Sequence, residues 1–186
     1  MKKWIWVLVL LWSCTTHQNY VVEGITFHEP EAAQRYLDSL HQEWLGRVEP
    51  LPRPLATKGV VIIPSYQYLR DGIERTAGGS VEHKTTLATL ADRNWLFVAN
   101  MIQQRGIFGE VELVRSETAD SVSSEVGDYV LWYRFVYGQG TQRFIKRHGQ
   151  PSFSERFIER SDNPSRSEFQ RRELESIEAF ILENPA

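Results

Sequence analysis

Cysteine is almost missing from this chain: Cys14 is the only one among 186 residues. A disulfide needs two thiols, so no bridge can form within the chain, and packing must supply its stability. A structural zinc site built on paired thiolates is excluded on the same ground. The five histidines, at 17, 28, 41, 83 and 148, show no metal-ligand spacing, so neither a metal nor another cofactor is expected. Long apolar runs are missing too. The longest, Trp4 to Trp12, has nine residues, whereas a membrane-spanning helix needs roughly 20. An excess of positive charge is lacking as well. The formal net charge is −3, and a nucleic-acid binder would show a basic footprint, so no nucleic-acid partner is expected. Signatures of catalysis are also absent: no serine elbow, no His-Glu-x-x-His pair, no Walker sequence and no dinucleotide fingerprint. Ala77-Gly78-Gly79-Ser80 lacks the Lys-Ser/Thr and the glycine spacing of a phosphate loop. Glu155 and Glu159 are near enough in sequence to split acid and base roles, but no pattern sets them in a cleft. The chain therefore reads as no enzyme, with a hydrolase as the last alternative.

What is present is ample material for a core. Apolar residues make up 41% and aromatic residues 12%, a composition that disordered chains do not have. The length suits one domain with a tail. Neither internal repeats nor low-complexity tracts occur.

The first fourteen residues organise the functional reading. Met1-Lys2-Lys3 is followed by the apolar run, then Ser13 and Cys14. A charged start, a short apolar middle and a small residue at the cut form the layout of a secretory signal. Leu11-Trp12-Ser13-Cys14 resembles the lipobox of bacterial lipoproteins, with Trp12 bulkier than the residue usual there. The resemblance implies cleavage between Ser13 and Cys14, lipid on the Cys14 sulfur and an acylated new amino terminus. Removal of the first 13 of 186 residues leaves 173, and loss of the two lysines moves the net charge from −3 to −5. Two or more acyl chains hold a protein stably on a membrane, whereas one holds it marginally. Thr15, where aspartate would favour inner-membrane retention, implies the periplasmic face of the outer membrane in a Gram-negative host. The expected division is a signal at 1–13, a lipidated tether at 14–29, a helix with its connector at 30–57, and an α+β domain at 58–186.

Along the chain, Pro30 suits a first helical position. Ala33, Leu37, Leu40 and Trp44 draw one apolar face, which predicts a helix from Pro30 to Leu45, closed by Gly46 in the left-handed conformation. Pro50, Pro52 and Pro54 make a semi-rigid connector. Val60-Val61-Ile62-Ile63 reads as a central strand buried on both faces. Ser65 to Gly79, punctuated by Gly72, Gly78 and Gly79, reads as a long loop. Thr85 to Arg105 is the strongest helix, with Leu87, Ala91, Trp95, Val98 and Ile102 in one stripe and Gly106 as terminator. Asn94 falls within that stripe, either as a buried polar contact that fixes register or at the stripe's margin. Val111 and Leu113 alternate with Glu110 and Glu112, the pattern of a strand with one wet face. A polar loop from Ser116 to Glu125 leads to the longest strand, Asp128 to Tyr137, interior to the sheet. Its Tyr129, Tyr133, Phe135 and Tyr137 face is either sheet core or a surface for stacking sugars. Gly138-Gln139-Gly140 turns the chain into a partner strand, Thr141 to Arg147, and Ser152 to Glu159 can add one more. Ser165-Arg166-Ser167-Glu168 is a capping box before a last helix with Phe169, Leu174, Ile177 and Ile181 on its apolar side. The fold class predicted is α+β: a mainly antiparallel sheet of four to five strands packed by two long helices, with an extra N-terminal helix.

One stretch carries a charge of its own. Between Thr141 and Arg172 eight basic residues face four acidic ones. Arg143, Lys146, Arg147, Arg156 and Arg160 are the candidates for contact with an anionic ligand or an acidic partner, the alternative being a solvated face. The order of the Val60–Pro64 strand, the long helix, Gly106-Ile107-Phe108-Gly109-Glu110-Val111 and Gly127-Asp128-Tyr129-Val130-Leu131 resembles two groups of envelope proteins. They are the periplasmic domain of curli-type secretion channels and the amino-terminal domain of the Tol-system propeller protein. The resemblance spans Gly59 to Leu182 and implies a non-catalytic, often oligomeric part of an export or assembly machine. Three readings follow: an accessory component of a secretion, transport or polysaccharide-export machine, with other envelope proteins or further copies of itself as partners; a lipoprotein that captures anionic polysaccharide or lipid; and the hydrolase.

Overall fold

The structure is a computed structural model that describes residues 18–116, 127–136, 140–149, 153–158 and 166–186. The elements run β1 (Tyr20–Val22), β2 (Ile25–Phe27), α1 (Pro30–Leu45), β3 (Ala56–Pro64), α2 (Tyr66–Thr76), α3 (Val81–Arg105), β4 (Phe108–Ser116), β5 (Tyr129–Val136), β6 (Gly140–Arg147), β7 (Phe153–Ile158) and α4 (Arg166–Glu183). β1 and β2 form a hairpin of their own, and the other five strands form one sheet in the order β4-β3-β5-β6-β7.

β3 explains this order. Its run from Val60 to Ile63 is buried at every position, so it needs cover on both faces and a neighbour at each edge. Val61 and Ile63 join the main core, in which Trp95, Val98, Met101 and Ile102 of α3 and Leu174, Ile177 and Ile181 of α4 pack on the sheet. Val60 and Ile62 point the other way, with Val130 beside them. Gly59 lets β4 come this close: a Cβ there would stand 2.3 Å from the Phe108 ring.

The expected mainly antiparallel sheet is corrected to a mixed one. β3 pairs in parallel with both β4 and β5. Only β5–β6 and β6–β7 are antiparallel. Between β3 and β4 the connection is long enough to hold two helices, which brings the chain back in the same direction for that pair.

Three further expectations change. Ser65 to Gly79 holds α2 rather than a loop. The Ser65 hydroxyl accepts from the Tyr68 N–H at 3.2 Å and starts the helix, while Leu69 packs into the main core. Gly72 is a helical residue, so a glycine that looked like punctuation is tolerated inside the element. Residues 20–27 are folded rather than tether, because Tyr20 and Val22 are buried with Ala33 and Leu37 of α1 and Leu90 of α3. The turn between the two short strands uses positive φ at Glu23 and Gly24, which suits a two-residue hairpin. Gly46 is right-handed, not left-handed, and its N–H continues the helical bonding to the Gln42 carbonyl.

α1 spans Pro30–Leu45 as its periodicity predicts. α3 starts at Val81, earlier than the apolar stripe, because the Ser80 hydroxyl accepts from the His83 N–H at 3.2 Å. Gly106 closes α3 with φ of 70°, where glycine is favoured. The proline connector is held in place: Leu51 N–H bonds the Arg105 carbonyl and Leu55 N–H the Ile107 carbonyl, each at 2.8 Å. The turn at 138–139, the loop at 117–126 and the Ser165 cap lie outside the described residues.

Candidate functional site

β5 and β6 pair antiparallel with Tyr133 opposite Arg143 and Leu131 opposite Ile145. Side chains alternate along a strand, so these four share the face that meets α4. On α4, Glu173, Ser176 and Ile177 follow at helical spacing and come to the same place. The result is a dry polar group set in an apolar core, with Arg143 and Glu173 both about 1% exposed.

Three contacts among the described residues show its geometry. Arg143 Nε lies 3.5 Å from Glu173 Oε1. Arg143 Nη2 donates to Ser176 Oγ at 2.7 Å. The Tyr133 hydroxyl donates to Glu173 Oε1 at 2.9 Å. Burial pushes the Tyr133 hydroxyl well above its ordinary pKa, the Glu173 charge adds to this, and Arg143 opposes it. Tyr133 is therefore held as a protonated donor. The arrangement neutralises a carboxylate inside the protein and ties α4 to the sheet. With both charged partners shut away from solvent, it is built for position rather than for meeting a substrate.

A second feature opens to the surface. α2 and α3 enclose a groove of about 400 Å³. Leu69 and Ile73 of α2 and Ala91 and Trp95 of α3 make it apolar, and Arg75 supplies a cation. Gly72 lines it as well, and a Cβ there would meet nothing within 4 Å. Trp95 joins the two features: it lines the groove, and its ring stands 5.5 Å from that of Tyr133. Volume and lining suit a small apolar ligand.

Of the basic candidates, the described side chains do not share one surface. Arg143 is committed to Glu173 inside the core. Strand alternation sends Arg147 to the same side as Arg143 and Lys146 to the opposite side, each half-buried. On that opposite face Phe144 stacks on Trp132 at 4.7 Å. Arg156 lies on β7, where the backbone alone is described. Arg160, Ser13 and Cys14 lie outside the described residues. Of the aromatic face on β5, Tyr129 and Tyr133 belong to the core. Asn94 makes the polar contact that its place in the stripe allowed: its Oδ1 is 3.1 Å from His41 Nε2 across the α1–α3 interface. Among the described residues no cluster of three or more His, Cys, Asp or Glu could hold a metal ion, and no helix is long and apolar enough to cross a membrane.

Glu173 is the residue that periodicity passes over, although a signal is there. It stands four before Ile177 and eight before Ile181, so a charge sits on the apolar stripe of α4. The groove has no such signal, because it depends on reading Tyr66–Thr76 as a helix. Comparison with protein-family models, with curated proteins and with solved structures finds no match to this chain.

Proposed function

We propose that the protein is a lipid-anchored periplasmic component of the outer membrane that binds other envelope proteins and serves, without catalysis, in a secretion, transport or polysaccharide-export machine. The observation that carries this reading is the sequence Leu11-Trp12-Ser13-Cys14 behind a lysine-led apolar run. The assembly role takes its ground from the sequence motifs between Val60 and Leu131 that resemble curli-channel and Tol amino-terminal domains.

The groove between α2 and α3 favours a second reading. Its apolar walls suit a lipid chain better than a polysaccharide, so a ligand-binding lipoprotein would be a lipid binder. Replacing Cys14 by alanine should abolish fatty-acid labelling of the protein in cells, and unchanged labelling would refute the anchor. Crosslinking in cells separates the two roles: discrete envelope proteins captured with the anchored chain support the machine component, and capture of lipid alone supports the second reading.

A further inference from the structure

The residues that line the groove between α2 and α3 differ in depth. Leu69 and Trp95 are buried, Ile73 and Ala91 half-buried, and Arg75 and Thr76 exposed. Leu69 and Arg75 stand six residues apart on α2, about 9 Å along the helix axis. An occupant with its apolar part against Leu69 and Trp95 therefore has its other end beside a cation.

That cation is not used up within the fold. Arg75 Nε donates to the Asp71 carbonyl at 3.1 Å, and among the described residues no carboxylate pairs with the guanidinium. The acidic side chains of α2 are engaged elsewhere: Asp71 accepts from Gln67 at 2.6 Å, and Glu74 pairs with Arg70 at 2.8 Å. Neither lines the groove. The negative end of α2 is answered as well. The carbonyls of Asp71, Gly72, Ile73 and Glu74 accept from Arg75 Nε, Thr76 Oγ1, the Ala77 N–H and Lys84 Nζ in turn. With those acceptors satisfied, an anion can approach Arg75 at a helix end that would otherwise repel it.

Size narrows the occupant further. At about 30 Å³ per heavy atom, the share of one water in the liquid, a cavity of about 400 Å³ takes roughly a dozen such atoms. A single acyl chain of medium length meets that figure. A sugar would leave its hydroxyls unpaired against apolar walls.

We infer that the groove binds a free medium-chain fatty acid, its chain against Leu69, Ile73, Ala91 and Trp95 and its carboxylate on Arg75. This rests on the lipid-binding reading and gives it a ligand class and a site.

The test uses the full-length protein in phospholipid nanodiscs and a photoreactive dodecanoate, with the labelled peptides mapped by mass spectrometry. Label should fall on α2 and on α3 around Trp95, and unlabelled dodecanoate should displace it. A Cβ at Gly72 meets nothing within 4 Å, so Gly72→Leu has room, puts a better helix former in α2 and should cut the label several-fold. Arg75→Gln changes an exposed side chain and should weaken dodecanoate about tenfold, the worth of a charge-assisted hydrogen bond. Competition by dodecanol should be the same for Arg75→Gln and the unaltered protein. Label that survives Gly72→Leu, or that maps elsewhere on the chain, overturns the site and leaves the lipid-binding reading standing. Dodecanol as effective as dodecanoate overturns the carboxylate on Arg75 and likewise leaves that reading standing. No label on any peptide overturns both.

Discussion

Two ion pairs of the same chemistry hold helices in two parts of this molecule. Arg143 and Glu173 join α4 to the sheet, each about 1% exposed. Arg93 and Asp38 join α3 to α1, with exposures of 34% and 48%. Water reaches the second pair and screens it, so loss of either partner leaves the other hydrated. Bulk solvent is shut out of the first, where Ser176 and Tyr133 supply hydrogen bonds in its place. The difference teaches that a buried pair mainly resists being broken and adds little by being made. The two helices are thus secured by different terms: α1 by its apolar face and a half-wet polar contact, α4 by apolar packing around charges that must stay matched.

The largest effect should come from breaking the dry pair. Glu173→Leu leaves Arg143 charged and buried, and should cost about 3–5 kcal/mol in denaturant-induced unfolding. Arg143→Met combined with Glu173→Leu should recover most of that loss, because it removes both desolvated charges together. A double variant as unstable as the single one would show that the pair itself, rather than an orphaned charge, carries the stability.

Alkaline pH probes the same place more gently. Burial raises the Tyr133 pKa in the folded state, whereas in the unfolded chain tyrosine titrates near 10. Above that value the unfolded state gives up a proton that the folded state keeps. The stabilisation is therefore full below about pH 10 and is lost as pH rises toward the folded pKa, by up to about 1.4 kcal/mol per pH unit. Lys58, whose pKa is raised chiefly by its hydrogen bond to Glu112, weakens the fold in the same direction, so the informative quantity is a difference between proteins. At neutral pH Tyr133→Phe should be the less stable, having lost its bond to Glu173. Above pH 10 the gap to the unaltered protein should close. A gap that stays constant to pH 11 would deny Tyr133 its raised pKa.

How much of this was legible depends on how local the cause is. α1, α3, β5 and β6 follow from periodicity and caps, which are written in neighbouring residues. The order around β3 was half legible: an apolar run at every position announces a central strand, but not that both neighbours run parallel to it. That depends on where the chain returns, and no residue in β4 or β5 encodes it. α2 was missed because Gly72, Gly78 and Gly79 outweighed Ser65, Leu69 and Ile73 in a local reading, whereas packing of Leu69 on the core decides. The burial of Arg143 was hidden for a related reason. Charge was counted along the sequence, but a strand alternates, and Arg143 finds Glu173 thirty residues on. The pair was half announced by a carboxylate on an apolar stripe, and its partner could not be named without the β5–β6 register.

The smallest effect should come from the exposed pair, and it sharpens the contrast most. Asp38→Ala and Arg93→Ala break the same chemistry as the Glu173 change, here between two helices rather than between a helix and the sheet. In a double-mutant cycle their coupling should be about 0.2–1 kcal/mol. It should also shrink in high salt, because the ions that screen it have access to both side chains. The coupling of Arg143 with Glu173, measured the same way, should be several times larger and insensitive to salt. The neighbouring His41–Asn94 contact, at 3.1 Å, involves neither Asp38 nor Arg93, so it should keep α1 seated while the pair is tested. If the exposed pair proved as costly to break as the dry one, solvent access would not be what separates the two regions, and α1 would have to be regarded as clamped by charge.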